Sequence, residues 1–211
     1  MSVEARDIHV QSLESSTALS AYYIPNFIPP QEVLRILNAT SVRFLLLGTH
    51  ALGGWMRKPR TTTDVDILVG MRWHKKAAHA LLTAFPQLQA EEHEDETRLR
   101  DTETGQVLID VMKTNQSLYR HAFKHTHLVE WDDQKFRIPS LELALAMKFL
   151  AMISVSRAYA DKHCDAGDFI GMVQSNYGID SRKLHALGQL VYNGGGDEIV
   201  RMCAKCEPAR N

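Results

Sequence analysis

Residues 44–69 read FLLLGTHALGGWMRKPRTTTDVDILV. An apolar run, Phe44 to Leu47, ends in Gly48-Thr49, and a short segment carrying Ala51, Gly53 and Gly54 follows. Arg60 and Thr62 come next, then Asp64-Val65-Asp66, which opens a second apolar run ending at Val69. Side chains alternate faces along a strand, so Asp64 and Asp66 point the same way. Two neighbouring carboxylates repel each other unless a cation lies between them. An oxygen-only set of this kind suits Mg²⁺, which keeps several waters and takes one or two carboxylates together with substrate phosphates.

A third acid stands in Val107-Leu108-Ile109-Asp110-Val111-Met112, a run that reads as another buried strand. An isolated Asp there costs several kcal/mol unless it is paired, protonated or bound to metal. Three acids from two strands can hold two Mg²⁺ ions about 3.5–4 Å apart, the clamp used for in-line displacement at phosphorus.

Strand, glycine turn, short helix, Asp-x-Asp on the next strand and a later third Asp together resemble the polymerase-beta-like nucleotidyltransferases. The closer resemblance is to their small prokaryotic branch, which reads roughly GGxAxxxHGxxRxTxDxDhhV with h apolar. That branch includes the nucleotidyltransferase toxins of type IV toxin-antitoxin systems. The chain matches at Gly48, Ala51, Arg60, Thr62, Asp64, Asp66 and Val69. It departs at Thr49, where Gly or Ser is usual, and at Gly54-Trp55, where His-Gly is common.

The resemblance implies transfer of a nucleoside monophosphate from an NTP to a hydroxyl. Asp64, Asp66 and Asp110 would be the catalytic acids and would hold Mg²⁺, with Mn²⁺ as the alternative ion. Gly48, Thr49, Arg60, Thr62 and Lys148 would line the nucleotide. The acceptor stays open between an RNA end, a protein hydroxyl and a small molecule of the aminoglycoside or lincosamide kind. An antitoxin partner belongs to the toxin reading. A catalytically silent nucleotide-binding partner module is the non-enzyme alternative.

The 211 residues suffice for one substantial core with a helical appendage. Hydrophobic residues make up 45% and charged residues 23%, which is ordinary for a soluble globular protein. A formal net charge of −1 leaves no global footprint for nucleic acid, although Arg57-Lys58-Arg60, Lys75-Lys76 and Arg98-Arg100 are local basic clusters. No apolar run approaches 18 residues and no basic start precedes an apolar core, so neither a membrane span nor a signal peptide is expected. Three cysteines argue against a disulfide framework and for a cytoplasmic protein. Cys203-x-x-Cys206 lacks a second Cys/His pair at zinc-finger spacing and reads as free thiols on a terminal helix.

The pattern predicts an α+β fold, a small mixed sheet flanked by helices, followed by a helical subdomain. Residues 1–30 read as an N-terminal extension with a short helix over 13–23, residues 31–139 as the nucleotidyltransferase domain, and residues 140–211 as the helical part. Residues 91–100 read as a polar loop leading to a strand at 97–99. A hairpin flanks Asp132-Asp133, and Ser140 is placed to cap the helix at 141–153. Arg157, Asp161, Asp165 and Asp168 fall on one face of a helix expected over 157–174. There, intrahelical pairing on a solvated face is weighed against a loose match to the Arg...Lys-Asp-x-x-Asp segment of the resembling family. Lys148, amid Leu145, Ala146, Met147, Phe149 and Leu150, is placed to reach a phosphate or a buried acid, with snorkelling as the alternative. The ten histidines show no zinc spacing and read as surface or cleft residues.

Overall fold

The computed structural model describes residues 3–58 and 60–207, with side chains from residue 6 onward. The chain divides into two compact units, Met1–Ile138 and Pro139–Asn211.

In the first unit, helices α1 (Val3–Tyr23) and α2 (Pro30–Ala39) precede β1 (Phe44–Leu46), α3 (Gly48–Met56), β2 (Val65–Val69) and α4 (Met71–Ala84). Strands β3 (Leu88–Glu92), β4 (Glu96–Asp101) and β5 (Val107–Lys113), helix α5 (Ser117–Ala122) and the pair β6 (Thr126–Trp131) and β7 (Gln134–Pro139) follow. The five-stranded sheet has the order β1-β2-β5-β4-β3, with β2 and β5 parallel and every other pairing antiparallel. This is the expected α+β class, a mixed sheet flanked by helices.

Alternation decides what each face carries. Phe44, Leu46, Ile67, Val69, Ile109 and Val111 join Val33, Leu34 and Leu37 of α2 and Ala77 and Leu81 of α4 in one buried cluster. Each Val, Leu, Ile or Phe among them contributes about 1.5–3 kcal/mol by leaving water. His74 of α4 is part of this packing: its Nε2 lies 3.1 Å from the Val111 carbonyl and 3.2 Å from Thr97 Oγ1. The intervening positions, Asp66 and Asp110, share the opposite face.

Three expectations are corrected. The stretch expected to be a loop leading to a strand at 97–99 is a hairpin instead, β3 paired with a longer β4. As an edge strand, β3 buries Leu88 and exposes charge, so it pairs through its backbone without an apolar period. Glu91 pairs across the hairpin with Arg100.

The N-terminal helix is also longer than expected, Val3–Tyr23. Its buried face is His9, Ser12, Leu13, Ser16 and Ser20, helically spaced but mostly polar, which hides it from a hydrophobic pattern. It packs on α3 because Gly53 and Gly54 leave room. A Cβ at Gly53 would lie 2.2 Å from Ser12 Oγ, and one at Gly54 would lie 2.1 Å from His9 Nδ1. Finally, the seventh helix begins at Tyr159, so Arg157 precedes it instead of sharing its face.

Hairpin β6–β7 turns at Asp132 and Asp133, both left-handed at φ 51° and 58°. Short polar side chains tolerate that region.

The second unit contains α6 (Leu141–Ile153), α7 (Tyr159–Ser175), α8 (Ser181–Gln189) and α9 (Gly195–Cys206). Ser140 caps α6, its Oγ accepting from the Leu143 N–H, and Asp180 caps α8 through the Arg182 and Lys183 N–H groups. Among the described residues no helix is long and apolar enough to cross a membrane. Cys164, Cys203 and Cys206 are free thiols. Cys203 is buried, and burial pushes its thiol up to about 11.

Candidate active site

The acids are brought together by two backbone facts. Leu47 donates its N–H to the Asp66 carbonyl at 2.8 Å, which ties the start of α3 to β2. In the β2–β5 ladder Asp66 lies directly opposite Asp110. With Asp64 two residues earlier, one carboxylate oxygen from each of the three acids falls within 4.8 Å of the others.

Gly48 has φ +58°, and a Cβ there would lie 1.8 Å from Asp66 Oδ2. Glycine is required on both counts. Helix α3 has no side-chain N-cap, so its first N–H groups have no partner within the helix or from a capping side chain.

The loop before β2 is held by hydrogen bonds from Thr62 and Arg60. Thr62 donates its hydroxyl to Asp64 Oδ1 at 2.7 Å, while its N–H reaches Ser20 Oγ of α1 at 3.1 Å. Arg60 donates through Nε and Nη2 to Thr49 Oγ1 at 3.1 and 3.0 Å. Thr49 itself is buried, and its hydroxyl is engaged by the Arg60 guanidinium.

Asp110 is the anomalous acid. Its Oδ1 is buried and has no hydrogen-bond partner among the described residues. Burial, then the charges of Glu96 and Asp64, push its carboxyl up to about 7, while Arg98 and Arg100 oppose the rise. Arg98 is registered opposite Asp110 on β4, but its Nε stands 3.9 Å from Asp110 Oδ1 while its Nη2 lies 2.5 Å from Glu96. That pair is too long to satisfy the carboxylate. A half-buried, half-compensated carboxylate beside two others is the donor set a hard divalent cation takes, so these residues fit Mg²⁺ or Mn²⁺.

Glu96 and Arg98 escaped the sequence reading as neighbours of Asp110. The alternation Glu96-x-Arg98-x-Arg100 was visible, but only the pairing of β4 with β5 sets it beside the acid.

Lys148 belongs to the second unit. Its Nζ lies 2.8 Å from Asp165 Oδ1 and 2.6 Å from Asp168 Oδ2, both buried. Arg157 reaches the same Asp165 at 2.5 Å from ahead of α7. Of the alternatives for Lys148, the buried acids are the ones it touches in this unit. The view of the histidines as surface or cleft residues is corrected as well. His9, His50 and His74 are buried, and burial pushes His9 and His50 down to about 4.

No family model matches the chain, and no curated protein does. Solved structures resemble it at low identity. An antigenic nucleotidyltransferase-like protein from Paracoccidioides brasiliensis is 17% identical at a TM-score of 0.48, covering 81% of this chain and 89% of that one. A lincomycin-bound lincosamide antibiotic adenylyltransferase is 17% identical at a TM-score of 0.47, covering 69% of this chain and 98% of that one. The antibiotic-resistance factor ANT(2'')-Ia is 13% identical at a TM-score of 0.49, covering 75% of this chain and 86% of its own.

Proposed function

We propose that this chain is a metal-dependent nucleotidyltransferase that moves a nucleoside monophosphate from an NTP to a hydroxyl on an RNA end or a protein. The observation that carries the reading is the three-carboxylate cluster of Asp64, Asp66 and Asp110 beside a helix start kept free of side chain at Gly48.

Asp64, Asp66 and Asp110 would hold Mg²⁺, which when bound supplies charge neutralisation on the triphosphate. The chain's own groups supply the rest. The N–H groups at the start of α3, which no capping side chain engages, and the helix dipole favour the β and γ phosphates, and Gly48 allows their close approach. Arg60, seated on Thr49, places positive charge at the same helix start. Asp110, the third acid of the cluster, would accept the acceptor hydroxyl's proton. The acceptor oxygen bonds to the α phosphorus, the bond to the bridging oxygen breaks, and pyrophosphate leaves. Catalysis of this kind is mostly positioning and electrostatics.

The test is incubation with each labelled NTP and Mg²⁺, supplying in turn cell RNA, cell protein and an aminoglycoside or lincosamide. Label on RNA or protein supports the reading. Label confined to the small molecule moves the acceptor. Label on none of them, with an NTP-induced thermal shift retained, makes the chain a silent nucleotide-binding module. A toxin role adds one expectation, arrested growth on expression that a co-expressed partner relieves.

A further inference from the structure

The end of the sheet remote from the acids carries a second concavity, of about 350 Å³, in the first unit. Arg43 precedes β1, Gly70 follows β2 and Thr114 follows β5, and all three line it. Because β1 runs against β2 and β5, these positions share one sheet end. Gly48 and Asp64 mark the other. From Asp66 to Gly70 the strand advances about 13 Å, so this is a separate site.

Its lining includes four cations, Arg43, Arg72, Arg120 and Lys124, all exposed, with no acid among the lining residues. In a chain of net charge −1, that is a local concentration of positive charge. Two half-buried aromatic rings stand between them, Trp73 and Phe123. The Arg43 guanidinium lies 4.9 Å from the Phe123 ring centre, and that of Arg72 lies 5.0 Å from Trp73. Helix α4 begins at the pocket's edge, and its dipole adds to the field.

We propose that this pocket seats a nucleotide unit of a single-stranded nucleic acid, with phosphates on Arg43, Arg72, Arg120 and Lys124 and a base against Trp73 or Phe123. Cations that track a backbone, interleaved with aromatic faces, are the two components of single-strand binding. A duplex keeps its bases stacked inside and has no use for the rings. A strand fits better than a free nucleotide, because the cations are exposed and come from separate elements. The proposal stands apart from the acid cluster and does not rest on nucleotidyl transfer.

The experiment is fluorescence anisotropy of labelled single-stranded RNA and DNA, about 12 nucleotides long, in EDTA across a salt series. Neutralising three or four phosphates gives a log–log salt slope of about −2 to −3. Arg72→Glu with Lys124→Glu should weaken binding at least tenfold and flatten the slope. Lys135→Glu, an exposed lysine of β7 outside the pocket, should leave both unchanged. Trp73→Leu, which keeps apolar bulk, should weaken binding roughly 5- to 100-fold with the slope retained.

Failure of both strands to bind at low salt overturns the proposal. Equal losses in Lys135→Glu and the pocket variant do so too. Displacement of the strand by AMP at matching phosphate concentration assigns the pocket to a free nucleotide and overturns the strand.

Discussion

The Asp66 carboxylate fills the volume that a side chain at position 48 would need, since a Cβ on Gly48 would lie 1.8 Å from Asp66 Oδ2. The turn after β1 and the acid on β2 are therefore one device. The glycine lets the start of α3 close onto the carboxylate, and the Leu47 N–H bond to the Asp66 carbonyl holds the two in place.

Gly48→Ala should accordingly cost twice. The left-handed backbone costs about 1–2 kcal/mol for any residue with a Cβ, and Asp66 must move. Thermal melts should show a melting temperature lower by several degrees and no stabilisation by Mg²⁺ with NTP. A variant with wild-type melting and an intact metal-dependent shift would show that the close approach does not matter.

Asp66→Asn keeps shape and removes charge. Transfer should fall at least roughly 10²–10³-fold, because charge stabilisation at the phosphates is lost. Stability without metal should hold or rise, since a repulsive neighbour of Asp64 and Asp110 is gone. Arg60→Ala, by contrast, should raise the KM for NTP more than it lowers kcat. If Asp66→Asn unfolds the chain yet retains near wild-type transfer per folded molecule, the acid is structural.

Asp110 sets the pH dependence. Its folded pKa, about 7, lies above the ordinary 3.8. The stability it contributes is therefore fully present below pH 3.8 and is lost as pH rises through 7. In EDTA, wild type should lose stability relative to Asp110→Asn between about pH 4 and pH 7, by on the order of a few kcal/mol. Urea titrations of both proteins across this range measure the difference. The depressed His9 and His50 contribute equally to both and drop out. Parallel stability curves would mean that Asp110 ionises normally.

Lys148→Met removes a cation shared by two buried acids, Asp165 and Asp168. Asp165 keeps Arg157, so the cost should fall toward the lower end of roughly 3–5 kcal/mol. Adding Asp168→Asn should recover part of the loss, because the charge left behind is what destabilises. Chemical denaturation of the single and double variants distinguishes this from a purely phosphate-facing lysine, whose loss would barely change stability.

Much of the local structure could be read from the sequence pattern. The apolar runs at 44–47, 65–69 and 107–112 are strands because they are short, β-rich and bounded by turn residues. Asp64 and Asp66 meet as the spacing predicts, although Asp64 lies in the bend just before β2. Ser140 caps α6 because a hydroxyl there meets an unpaired N–H. What could not be read shares a reason. Strand β3 is held by backbone pairing at an edge, and the buried face of α1 is serine and histidine against glycine, so neither leaves an apolar period.

The sequence by itself therefore determined the α+β class, the three acids and the glycine at the start of α3, all consequences of periodicity and backbone chemistry within a few residues. Only the tertiary structure decided the rest. The β2–β5 register sets Asp66 opposite Asp110, and the β4–β5 register brings Arg98 and Glu96 beside it. The ends of β1, β2 and β5, together with α5, gather four cations and two rings from across some eighty residues of chain. Register and convergence are set by pairing between distant segments, and no local spacing encodes which residues will meet there.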